Sequence, residues 1–480
     1  MRLSVLFALF LLLLPCPSFA KDTGAVQTPE KVFNAQSYML DNGLQVVVVE
    51  NHRAPVVTHM IWYRVGAAEE QPGKSGMAHF MEHLMFKGQT SEAFGDIAPG
   101  DFSKIVRSLG GKDNAFTSQD YTAYYQSVAS DQLETVMTME AGRMRGMSPP
   151  ADEVVSENKV ILEERRQRTD NDPRAQMDEQ LNAALFVNHP YGIPVIGWLH
   201  EMEGLTWDDE KAFYDLWYEP NNAILVVSGD VTGPEVLALA QKTYGKIPSA
   251  KVPERIRTVS PPFVAQMSVT LAHSSIREPS FQRGYRVPSA RQNKQDSLAL
   301  EVLEEIMGGG ATSRLYKDLV VEGKVASSIS ISYSGNAWDD ATVWIAGVPA
   351  EGNVLQDVEA AVDDELRKLI AEGVRADELK DAVTRMQADA IYARDSLSGP
   401  AMTIGYGLIT GSTLDDIEYW PRDIEMVSAD QVQDVAKRFL NPDAPAKIPP
   451  VTGYLLPKEG GDDQGLDAMG GASEMQGEIR

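Results

Sequence analysis

Apolar and polar positions along the chain follow an order that occurs twice. Residues 37–50 (Ser-Tyr-Met-Leu-Asp-Asn-Gly-Leu-Gln-Val-Val-Val-Val-Glu) predict a strand, an Asn-Gly turn and a second strand, and residues 56–65 predict another. Helical periodicity follows at 77–86 and at 102–109, where Gly110-Gly111 ends it. Residues 122–128 are strand-like and aromatic, 131–147 and 152–168 read as long helices, 223–228 as a strand and 236–244 as a helix. The stretch 247–262 holds four prolines and few large apolar side chains. Beyond it the order begins again, with strands at 268–273 and 282–287, helices at 295–307 and 312–319, strands at 325–333 and 342–348, and helices at 354–373 and 376–393. A repeated strand, strand, helix, helix, strand, helix, helix order predicts an α+β class of two similar domains, each a mostly antiparallel sheet packed with helices. The expected division is 37–246 and 263–457, joined by a linker at 247–262 and followed by a Gly-rich, acidic tail at 458–480.

The first twenty residues read differently. Arg2, an apolar run at 3–14, Pro15 and Ser18-Phe19-Ala20 have the order of a secretory signal cleaved after Ala20, followed by a polar leader at 21–36. The run is shorter than the about twenty residues that a bilayer span requires, so no stable membrane anchor is expected. Export follows, with the periplasm as the expected destination and full secretion as the other. The chain's one cysteine, Cys16, falls inside this segment. The exported chain therefore has no thiol, and any metal site in it is built from His and carboxylate.

Composition removes further classes. At 43% apolar and 23% charged residues the chain is neither disordered nor a many-span membrane protein. With 43 Lys and Arg against 69 Asp and Glu, the net charge is −26, which disfavours nucleic acid as a partner.

One constellation carries chemistry: His79-Phe80-Met81-Glu82-His83. At about 100° per residue, His79 and His83 lie about 40° apart on a helix and face one point, with Glu82 beside it. Two imidazole ligands and a nearby carboxylate are what metal-assisted hydrolysis needs, Glu82 serving as general base. A third ligand is expected, and the acidic helix beginning near 151 offers Glu153, Glu157 and Glu164 on one face, one to bind metal and another to support a ligand. His189, His200 and His273 lack ligand spacing, and His52 and His59 lie near a predicted strand edge. Gly308-Gly309-Gly310 lacks the companions of a phosphate loop.

The run Gly76-Met-Ala-His79-Phe-Met-Glu82-His83-Leu-Met-Phe-Lys-Gly88 resembles the inverted zinc-site peptidases, the family of pitrilysin, insulin-degrading enzyme and the mitochondrial processing peptidase. The likeness continues at Gly110 to Thr117, at Glu157-Asn-Lys-Val-Ile-Leu-Glu-Glu164, at His189-Pro-Tyr-Gly, at Trp217-Tyr-Glu-Pro-Asn-Asn222 and at Gly308 to Tyr316. The resemblance implies a zinc metalloendopeptidase acting on unfolded peptides, with one Zn2+ held by His79, His83 and Glu164, Glu82 as base and Glu157 as a supporting carboxylate. Glu163 is the neighbouring alternative to Glu164. It also implies that Asn114, Ala115, Phe116 and Thr117 lie on an edge strand to which a peptide adds as a further strand, inside a chamber that dimerisation encloses. Active relatives carry an Arg and, seven residues later, a Tyr in the second domain. Here those positions are Val320 and Ser327. A homologous partner subunit supplying that pair is the expectation, and a homodimer using donors such as Arg286 is the other.

Overall fold

Three strands rich in Val and Ile form the centre of the first sheet: β2 (Gln45–Glu50), β3 (Val56–Tyr63) and β6 (Ala223–Gly229), with almost every residue buried. Strands apolar on both faces need cover on both faces, and here both are covered. The computed structural model describes residues 31–458 apart from 262, 264 and 445–447. The expected signal, most of the leader and nearly all of the acidic tail lie outside the described residues.

The remaining strands are β1 (Gln36–Met39), β4 (Lys112–Thr117), β5 (Thr122–Ala129), β7 (Met267–His273), β8 (Ser280–Val287), β9 (Ala326–Ser334), β10 (Ala341–Pro349) and β11 (Val451–Pro457). Helices of the first half are α1 (Met77–Leu84), α2 (Asp101–Ser108), α3 (Leu133–Gly146), α4 (Ala151–Arg165), α5 (Pro173–Leu185), α6 (Leu199–Met202), α7 (Trp207–Trp217) and α8 (Gly233–Lys242). Those of the second are α9 (Lys294–Gly308), α10 (Leu355–Glu372), α11 (Ala376–Asp395), α12 (Gly399–Ile409), α13 (Leu414–Glu418), α14 (Trp420–Glu425) and α15 (Ala429–Phe439).

The sheets run β1-β2-β6-β3-β5-β4 and β7-β11-β8-β10-β9. With β1 set aside, the two orders superpose as β2/β7, β6/β11, β3/β8, β5/β10 and β4/β9, and the directions agree: β2 with β6 and β7 with β11 are the parallel pairs, and the others are antiparallel. The duplication expected from the element order is thus a duplication of topology. The helix expected at 312–319 is displaced, with a π-helical segment at Tyr316–Glu322.

Helices of each half pack on the sheet of the other. On α5, Met177, Leu181 and Leu185 pack against Val451 and Leu455, so a helix of the first half covers the second sheet. On α12, Ala401, Ile404 and Leu408 pack against Val47, Met60, Trp62 and Val226, so a helix of the second half covers the first sheet. Gly405 makes the second crossing close, because a Cβ there would stand 2.0 Å from Trp62 Cε2. Each half thus supplies part of the apolar cover of the other, which ties them together without a disulfide.

The described part of the proline-rich stretch is irregular and acts as a strap. Arg255 and Arg257 are nearly buried. Arg257 pairs with Glu69 and with Asp120 (3.0 Å) of the first half and with Asp339 (3.4 Å) of the second. Asp120 also accepts from the Trp338 backbone N–H at 3.0 Å, closing a polar node across the seam.

Candidate active site

α1 begins at Gly76, whose φ is 92° and whose missing Cβ would lie 2.7 Å from the Ile196 carbonyl, so glycine is required by both conformation and space. The free N–H groups of this helix start are met by carboxylates. Glu70 accepts from Gly76 (3.0 Å) and Ala78 (2.8 Å), and Glu201 accepts from Ser75 (2.8 Å). Met77, Phe80, Met81 and Leu84 enter the core, which leaves His79, Glu82 and His83 on the side that packs against α4 and β4. Behind the helix, Arg143 is buried among Phe86, Phe102 and Tyr124, with its guanidinium carbon 4.1–4.8 Å from their ring centres, and pairs with buried Glu140.

The two imidazole rings stand 4.8 Å apart. Glu164 Oε2 lies 3.3 Å from His83 Nε2 and 3.8 Å from His79 Nε2. These three residues can each bring one ligand atom within 4.8 Å of the other two, and among the described residues no other group of His, Cys, Asp and Glu does so. The neighbouring candidates point elsewhere. Glu163 is exposed and held by Arg166 and Gln167. Glu153 faces Lys87 at 3.8 Å. Glu157 is 5% exposed and accepts from His83 Nδ1 at 2.8 Å, which turns Nε2 toward Glu164, and its other oxygen takes Lys87 Nζ at 2.5 Å. Arg168 holds the far oxygen of Glu164 at 2.6 Å.

The electrostatics suit a cation. Burial, followed by the charges of His83 and Arg168, pushes His79 down to about 3, so its ring is neutral and its lone pair available. Burial would lower His83 too, but the hydrogen bond to Glu157 and the carboxylates Glu157, Glu164 and Glu82 raise it. Burial raises Glu82 despite the hydrogen bond it accepts from Thr117. Glu157 is drawn below the ordinary carboxylate range: burial opposes, and the hydrogen bonds from His83 and Lys87 prevail. Two imidazole nitrogens and one carboxylate oxygen, with no thiolate, fit zinc and leave a fourth position for water or substrate.

Among the described residues β4 pairs only with β5 and forms the outer edge of the first sheet. Asn114 is exposed, and Thr117 Oγ1 donates to Glu82 Oε2 at 2.5 Å, so the free strand edge and the carboxylate beside the metal group meet directly. Phe116 turns to the other face, edge-on to Trp62 at 5.3 Å and near Tyr406 at 5.9 Å. Its side chain is packed into the fold, leaving the backbone at that position on the strand edge.

Other sequence expectations change. His59 lies in mid-sheet, fully buried, between Gln126 (2.7 Å) and Tyr244 (2.9 Å), and not near an edge. Arg286 is 9% exposed, bonded through Nε and Nη2 to Asp340 and stacked on Phe186 just past α5, so it is held in place inside the fold. Ser327 is exposed on β9 and Val320 lies in the π-helical segment. Glu70, Lys87, Glu201 and Arg168 were not singled out by sequence reasoning. The only signal for Glu70 is an acidic residue upstream of a helix start, which many loops share.

Fold and site together define the class: a duplicated α+β metallopeptidase scaffold with an inverted His-x-x-Glu-His motif. Residues 45–197 match the family model described as Insulinase (Peptidase family M16), and residues 204–386 match Peptidase M16 inactive domain. A protein of Helicobacter pylori named zinc protease PqqE is 31% identical over 387 residues, spanning 77% of this chain and 83% of that one. An uncharacterized zinc protease of Mycobacterium leprae is 27% identical, spanning 84% and 88%. Among solved structures, a protease from Helicobacter pylori superposes with a TM-score of 0.81 at 26% identity, covering 89% of this chain and all of that one. The periplasmic protease PqqL from Escherichia coli shares the fold with a TM-score of 0.74 at 20% identity, this chain spanning about half (48%) of its length. The chain belongs to the insulinase (M16) peptidase family.

Proposed function

We propose that the chain is an exported zinc endopeptidase that hydrolyses unfolded peptides bound along β4, with domain 37–246 carrying the metal and domain 263–457 serving as its non-catalytic homologue. The supporting observation is the meeting of two features: the His79, His83 and Glu164 group lies beside Glu82, and Thr117 at the free edge of β4 donates to that same Glu82. A peptide paired to β4 gains backbone hydrogen bonds independent of its sequence, which suits a tolerant peptidase. His79, His83 and Glu164 are the residues to hold zinc, which when bound polarises the scissile carbonyl and acidifies water. Glu82 takes the proton of the attacking water and passes it to the departing amine as the C–N bond breaks. Glu157 orients His83 from behind.

The chain works as the zinc-bearing half of a heterodimer. Val320 and Ser327 offer neither cation nor phenol, and Arg286 is committed to Asp340. The missing donors come from a homologous subunit that closes the chamber. No helix among the described residues is long and apolar enough to cross a membrane. The structural relative PqqL is a periplasmic protease, which agrees with export directed by residues 1–20.

The test uses the purified exported chain, metal analysis and a quenched fluorescent peptide. Expected are one zinc per chain, weak cleavage alone, strong chelator-sensitive cleavage with the homologous partner, and loss of cleavage but not of zinc in Glu82→Gln. Full turnover by the chain alone removes the heterodimer, and undiminished cleavage by Glu82→Gln removes the base. A second reading, a peptide-binding scaffold, has the match of residues 204–386 to the inactive-domain model in its favour, and predicts no chelator-sensitive cleavage under any of these conditions.

A further inference from the structure

The duplicated topology places a second version of the active-site corner in the second half. α9 packs on β9 and α11 as α1 packs on β4 and α4. In sequence, Glu301-Val-Leu-Glu304-Glu305-Ile-Met307 falls on His79-Phe-Met-Glu82-His83-Leu-Met85, and Ala376-Asp-Glu-Leu379 at the start of α11 falls on Ala151-Asp-Glu-Val154 at the start of α4. From the second position of the seven onward, the order of buried and half-buried residues is the same in both stretches. Glu301 and Glu305 thus stand where the imidazoles stand, and Asp389 stands where Glu164 stands. No nitrogen ligand is left, and these carboxylates do not converge as a metal group.

What persists is a concavity. A cavity of about 500 Å3 opens between α9, α11 and α12, with a smaller one of about 300 Å3 that shares Glu301 and Met386 with it. Its size and apolar walls, including Phe33, Leu298, Ile417 and Trp420, are those of a small-molecule site. The cations at its margins are committed elsewhere: Lys294 to Asp416 (2.5 Å) and Asp423 (2.7 Å), and Arg385 to Glu305 (2.6 Å). Glu301 meets only neutral donors, Trp420 Nε1 at 2.8 Å and Ser297 Oγ at 3.4 Å. Burial pushes its carboxyl up to about 7. A carboxylate on an apolar cavity wall, where the lining cation Lys294 is already paired with Asp416 and Asp423, is complementary to a positively charged ligand with an apolar body.

We propose that this cavity binds a small organic cation, a primary ammonium on an apolar body, with the ammonium hydrogen-bonded to Glu301 and the body against Leu298, Ile417 and Trp420. The site is distinct from the peptidase centre and does not require zinc.

The probe is 2-phenylethylammonium, titrated by calorimetry into the full chain, with 2-phenylethanol as the uncharged control. Saturable binding at one site per chain is expected, with the alcohol at least tenfold weaker. Glu301→Gln weakens the ammonium tenfold or more, whereas Glu305→Gln, whose partner is Arg385, changes it less than threefold. Ala390→Phe fills the cavity from α11 and abolishes binding while leaving Glu301 in place, so the proposal does not depend on one variant folding. The absence of saturable heat, equal affinity for the alcohol, or undiminished binding by Glu301→Gln or by Ala390→Phe overturns it.

Discussion

Glu157→Gln tests whether the carboxylate behind His83 supports metal binding. That carboxylate accepts from His83 Nδ1 at 2.8 Å and holds Lys87 at 2.5 Å, nearly out of contact with solvent. The amide keeps the shape but loses the charge, leaving Lys87 without its close partner and His83 less firmly oriented. Loss of such a supporting carboxylate typically lowers metal affinity about 10- to 100-fold, or about 1.4–2.8 kcal/mol. The protein's pH response follows from the same contact. Glu157 contributes to raising His83, and only neutral His83 can ligate, so wild-type zinc affinity falls as pH drops through that raised value. In Glu157→Gln that fall moves to lower pH. The deficit of the variant is therefore largest near pH 8 and narrows on acidification. Competition with a chromogenic chelator across pH 5.5–8 measures both. A change under threefold at pH 8 refutes the supporting role, and a loss as deep as that of Glu164→Gln makes Glu157 a direct ligand instead.

Three further outcomes are expected. Thr117→Val removes the donor to Glu82 and lowers kcat about tenfold without changing zinc content, while Thr117→Ser retains activity, as steady-state kinetics with the partner present will record. Gly405→Ala drives a Cβ into Trp62 and, despite the better helix propensity of alanine, destabilises the chain by about 1–3 kcal/mol in thermal or urea unfolding, whereas an unchanged or higher melting temperature contradicts the close crossing of α12. Glu301 has a folded-state pKa of about 7 against an ordinary 4.5, so the folded chain binds its proton more tightly and loses stability through this group as pH rises from about 4.5 to 7. Glu301→Gln removes that loss and gains roughly 2–3 kcal/mol over wild type at pH 8 relative to pH 5, and equal gains at both pH values contradict it.

The repeated element order was legible because strands and helices differ in apolar period, and the Val-rich runs at 45–50 and 223–228 read as strands, though their central place in the sheet was not legible. The metal group was half legible. His79 and His83 are one helical turn apart, so local geometry alone makes them neighbours. Glu164 comes from another helix, and spacing left Glu153, Glu157 and Glu164 equivalent until resemblance separated them. In the structure the distinction has a physical cause: Lys87 and His83 Nδ1 claim Glu157, Arg166 claims Glu163, and Glu164 is left facing both Nε2 atoms. The pairing of Arg286 with Asp340 could not be read from sequence, because the two are 54 residues apart.

By itself the sequence determined the α+β class, the duplication, and two imidazoles one helical turn apart with Glu82 beside them. These follow from periodicity, local spacing and composition, which need no knowledge of what packs on what. Tertiary structure decided the rest: that α5 and α12 exchange sheets, that the proline-rich connector is a strap anchored by Arg255 and Arg257, that Phe116 faces away from the site while Thr117 reaches Glu82, and that a cavity opens between α9, α11 and α12. Each is a contact between residues far apart in the chain, set by which apolar face and which buried charge find cover once all elements are in place, and no local pattern encodes it.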